Sequence, residues 1–88
     1  MDTPTLIKLL GQNGLIEAYQ ILGEQRTLSE QPDVVAGIEM AQARVGLAIY
    51  TLIKDVDVAT LSSEIREQIL PIKIEGLDHW ARRVSEPH

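Results

Sequence analysis

The sequence predicts an all-α fold, a small bundle of three to five helices around one long central helix, forming one domain over residues 1–88. Three observations carry that reading. Apolar residues recur at helical spacing in nearly every segment, and Gly and Pro fall between those segments as breaks. Aromatic residues make up 3% of the chain and phenylalanine is absent, so Leu, Ile, Val and Ala must build the core, a composition suited to closely packed helices.

Thr3-Pro4 reads as a helix start, a capping side chain followed by proline at the first helical position, and Leu6, Ile7, Leu9 and Leu10 follow. The segment "GQNG", residues 11–14, should end or sharply bend this short helix, because its Asn and Gly tolerate positive φ. A second helix through "LIEAYQILGEQR" places Leu15, Ala18, Tyr19 and Leu22 on one face, with Ile16 and Ile21 beside them. Pro32 suits only a first helical turn, with Ser29 or Gln31 as the cap, so the central helix starts near residue 31. Within its main span, residues 34–54, Val34, Ile38, Ala41, Val45, Ala48 and Leu52 are spaced 4-3-4-3-4 and define three heptads of one seam. Gly37, Ala41, Ala43, Gly46 and Ala48 keep that seam low in bulk, while Val35, Ile49 and Ile53 widen the apolar face beyond one neighbour's reach.

Asp55 or Asp57 is available to cap the next helix, in which Leu61, Ile65 and Ile69 form a stripe. Pro71 is expected to kink or stop it after Leu70, since its ring clashes with the carbonyl four residues back. The alternation in "PIKIEG" admits a short extended stretch, and "LDHWARRV" then gives one or two helical turns with Leu77, Trp80, Ala81 and Val84 on one side. The residues 34–53 carry only two charges, Glu39 and Arg44, but both sit near the middle of the stretch. Charges at a bilayer centre cost about 2.5–3.5 kcal/mol each, which argues against a membrane span. The N-terminus lacks a basic region and a small-residue cleavage site, so the expectation is a cytoplasmic protein.

An 88-residue chain buries only roughly 60–65% of the surface its unfolded form exposes, which leaves a thin margin of stability. There are no cysteines and only two histidines, His79 and His88, so neither disulfides nor a familiar metal set can supplement it. Self-association is the remaining route. A net charge of −5 with scattered basic residues argues against general nucleic-acid binding, which needs clustered Lys and Arg.

Candidate chemistry is thin. Glu75 and His79 could share a helical face as half of a metal site, but two more ligands are missing, and no metal or cofactor is expected. Asp55 and Asp57 read as capping groups, and Ser62-Ser63 lacks the strained glycine-flanked turn of a nucleophile. Gly11-x-x-Gly14 precedes a helix but lacks the strand and lysine of a phosphate loop. Trp80 with Arg82 and Arg83 combines residue types enriched in binding hot spots, although a lone tryptophan also suits the sealing of an aliphatic core.

The octapeptide "LIKDVDVA", residues 52–59, is similar to the segment near the C-terminal end of type III secretion needle subunits, small helical hairpins that polymerise. Chains of that family stop soon afterwards, whereas Pro71 and Trp80 follow here, and no functional residue is carried over. The reading that results is a non-enzymatic homo-oligomer, dimer or higher, that binds and blocks or scaffolds another macromolecule, a protein partner being the expectation. Its interface would comprise Val34, Ile38, Ala41, Val45, Ala48, Leu52, Trp80, Arg82 and Arg83. One alternative is an oligomer that sequesters a small anion between subunits, using Tyr19 or Tyr50 with Lys8, Arg26 or Arg44. The other is a self-assembling structural subunit.

Overall fold

Glycine 14 turns the chain first. It adopts φ 63° and ψ 23°, a left-handed conformation that suits glycine, and its N–H donates to the Gly11 carbonyl at 3.1 Å. That turn separates α1, Thr3–Gln12, from α2, Leu15–Leu28, as the "GQNG" segment predicts. The computed structural model describes residues 3–12 and 14–85. The expectations placed on Asn13 and His88, and on the side chains of Thr3, Pro4 and Ile7, lie outside the described residues.

Pro32 opens α3, Pro32–Ile53, from an extended Gln31, where the missing N–H costs no helical hydrogen bond. The 22 residues of α3 make it the long central helix, packed on one side by α2 and to a similar extent by α4. Asp57 then accepts from the Ala59 N–H at 3.0 Å and caps a short 3₁₀ turn, Val58–Thr60. The cap of the following helix is Ser62 rather than either aspartate, its hydroxyl reaching the Ile65 N–H at a long 3.4 Å.

The last helix, α4, spans Ser63–Ser85 and departs from expectation at two places. It runs through Pro71 without stopping, and "PIKIE", residues 71–75, is helical, not extended. The break comes instead at Gly76, whose φ of 83° and ψ of 166° lie in a region that only glycine occupies freely. Pro71 is exposed, so the carbonyl that loses its helical donor faces the solvent side. The fold is therefore all-α, with four α-helices among the described residues.

The core is aliphatic apart from one indole: Leu6 and Leu10 of α1, Ile49 and Ile53 of α3, Leu61, and Ile69, Ile72 and Trp80 of α4. Leu15, Ile16 and Tyr19 of α2 pack against it from the edge. Ala43 and Gly46 on α3 are also buried, and the Gln42 amide satisfies itself by donating to the Tyr19 carbonyl at 3.4 Å. Gly23 makes room for that amide, since a Cβ there would stand 3.1 Å from Gln42 Nε2. No described helix is long and apolar enough to cross a membrane.

Candidate interaction surface

The buried row of α3 is Gln42, Ala43, Gly46, Ile49 and Ile53. At 100° per residue, the heptad seam read from the sequence lies about a quarter of a turn away from it. Within the chain the seam is therefore a flank, and the close helix contact expected at Ala41 and Ala48 is made at Gly46 instead. Val34 is 42% exposed and Ala48 is exposed, Ile38 and Ala41 are half-buried, and only Val45 and Leu52 lean on the core. The reason for the shift is chemical. A heptad reading selects apolar residues at regular spacing, whereas the buried row contains a glycine and a glutamine.

Trp80 sits at the other end of the expected interface and belongs to the core. It is 1% exposed, and its Nε1 donates to the Ile72 carbonyl at 2.9 Å. Gly46 is what admits it: a Cβ at that position would stand 2.4 Å from the indole Cζ3. Around the ring lie Tyr19, edge-on at 6.0 Å between centroids, and His79, edge-on at 4.8 Å. Arg83 stacks its guanidinium 5.7 Å from the ring centroid, near the range of a cation–π contact, while Arg82 is exposed. Burial pushes the Tyr19 phenol above the ordinary value of 10.0, with the Arg83 charge opposing the shift and the Glu75 carboxylate adding to it.

The residues expected to hold a small anion between subunits form no common pocket within one chain. Arg26 is committed to an ion pair with Glu39 at 2.8 Å, joining α2 to α3. Lys8 and Arg44 are exposed on α1 and α3, and Tyr50 packs against the core. A cleft of about 310 Å³ opens where the turn between α1 and α2 faces α4, walled by Leu10, Ile16 and Ile65 with Glu17, Gln20 and Gln68 at its rim. None of those five candidates lines it. Gly11 and Gly14 do border the cleft, but the acidic Glu17 in the first turn of α2 disfavours an anion there.

Glu75 and His79 do meet, at 3.3 Å across the break at Gly76, as a pair without further ligands. Among the described residues no three His, Cys, Asp or Glu side chains are grouped as a metal site requires. Lys73 donates to the Val56 carbonyl and ties α4 to the preceding loop. Two features depart from the sequence reading: Gly46, read there only as a small residue beside the seam, seats Trp80, and the break in α4 falls at Gly76. The signal for the first was a buried-type glycine amid aliphatic residues, and for the second a glycine between two helical stretches. No known protein family, curated protein or solved structure matches this chain.

Proposed function

We propose that this protein is a non-enzymatic interaction module that self-associates through α3 and, as a dimer or higher oligomer, binds and blocks or scaffolds a protein partner. One observation supports the reading above others. The seam Val34, Ile38, Ala41, Val45, Ala48 and Leu52 keeps coiled-coil spacing over three heptads, yet the chain's own core is built on a different row of the same helix. Regular apolar spacing that the monomer uses only in part, with Val45 and Leu52 on its core and Val34 and Ala48 exposed, is what a helix presents to another helix. The small residues Ala41 and Ala48 would let the second backbone come close.

Ala48→Glu tests this cleanly because residue 48 is exposed in the monomer, so the variant leaves the fold of the chain alone. Native mass spectrometry of the parent should give a dimer or higher species, and Ala48→Glu should give a monomer with the parent's helicity. An unchanged assembly in the variant would remove the seam from the interface. The same spectra, taken on protein purified from its own cell extract, identify any partner that travels with it.

A further inference from the structure

We propose that residues 77–85 form an exchangeable arm, hinged at Gly76, whose Trp80 can fill the Gly46 notch of a second copy of this chain as well as its own. The first support is the hinge. Helical residues flank Gly76 on both sides, and its φ of 83° and ψ of 166° break α4 there. In an unbroken helix Trp80 would stand about 12 Å further along the axis than Ile72. The indole bond to the Ile72 carbonyl and the seat against Gly46 thus both require the break.

The second support is how the arm is held. Its polar and ring contacts outside itself go to Ile72, Glu75 and Tyr19, and its indole fills the space a side chain at Gly46 would take; all four residues precede the hinge. A second copy offers the same set without any new complementarity. Mutual exchange also closes on a two-fold axis, so it stops at a dimer. The third support lies at the hinge itself, where Ile74 and Leu77 are 72% and 54% exposed. They are three residues apart, so straightening Gly76 aligns them on one helical face. Two hinges side by side in an exchanged dimer would cover those faces, which the closed monomer leaves in water.

The test uses an Ala48→Glu background, so that association through the α3 seam does not contribute. Adding Gly76→Ala straightens the hinge, and the expected result is a doubling of mass in light scattering with Trp80 still blue-emitting and protected from iodide. A monomer, or a dimer whose tryptophan is freely quenched, overturns the proposal. Because Gly76→Ala could simply unfold the chain, mixing provides the second arm of the test. Gly46→Val keeps a sound arm but blocks the notch, and Trp80→Ala keeps a sound notch but lacks the ring. Trp80 is the sole tryptophan, so fluorescence in the mixture comes from the Gly46→Val chain alone. Exchange predicts a blue shift and loss of quenching on mixing, together with a heterodimer mass. Spectra that merely add, with no heterodimer, overturn the proposal.

Discussion

Residue 46 decides how close α4 can lie on α3. The indole of Trp80 rests where a side chain would otherwise stand, so even Gly46→Ala must displace the ring or the helix. Overpacking of this kind usually costs about 1–3 kcal/mol, and urea denaturation of Gly46→Ala should register a loss in that range. A midpoint equal to the parent's would mean that the ring moves aside freely. The burial of Trp80 was legible only in part, since a lone tryptophan in an aliphatic chain suited both a core and an interface. Gly46 was read as a place of close approach, but nothing in a glycine says which side chain will fill it. Tyr19 permits a pH test of the same contact. Its folded-state pKa is raised by burial, so the unfolded chain loses the phenolic proton first as pH climbs. The stability that Tyr19 contributes is thus fully present below pH 10 and declines as pH rises from there through the folded value. Tyr19→Phe should show a shallower alkaline loss than the parent in denaturant titrations above pH 10. Parallel curves would place the phenol in water.

The helices themselves follow their punctuation at the glycine turn before Leu15 and the proline opening of α3, both readable from local chemistry, whereas Asp57 caps a 3₁₀ turn and not the helix expected of it. The rotation of α3 was not, because both of its apolar rows are spaced like a helix and only tertiary partners choose between them. In α4 the sequence placed the break at Pro71, where the local penalty is greatest, and the chain broke five residues later. A proline on a solvent-facing turn loses one hydrogen bond but leaves Ile69 and Ile72 in the core on either side of it. Stopping there would have lost Ile72. Continuation to Gly76 keeps both isoleucines and uses the residue for which positive φ is cheap. It follows that Pro71 opposes the helix it sits in. Pro71→Ala restores a donor to the turn and should raise stability by about 1–3 kcal/mol, measurable as a higher urea midpoint at unchanged helical signal. A lower midpoint would show that the ring contributes more by packing than it removes from the backbone.

At the scale of the molecule, the dimensions bear on association. The described fold measures 40 × 24 × 19 Å, a slim shape in which few side chains are far from water. Its core rests on the eight clustered side chains of α1, α3, α4 and Leu61, while α2 contributes only half-buried residues to it. Ile21 and Leu28 on the outer side of α2 and Val34 at the start of α3 remain exposed. With no covalent staple in the sequence, a structure of this kind has little stability to spare as a single chain. If the folded form is an oligomer, folding and association are linked, and the melting temperature must depend on protein concentration. For a folded dimer that unfolds to single chains, each tenfold dilution removes about 1.4 kcal/mol. A domain of this size shifts by about 4–8 °C per kcal/mol. Melts recorded by circular dichroism from hundreds of micromolar down to sub-micromolar protein should therefore fall by several degrees per decade, and Ala48→Glu should abolish the dependence while remaining helical, with a melt at or below that of the most dilute parent. Superimposable parent melts across that range, with a monomeric mass throughout, would establish that the core of Leu6, Ile49, Ile53, Ile69 and Trp80 suffices by itself and that the α3 seam is ordinary surface.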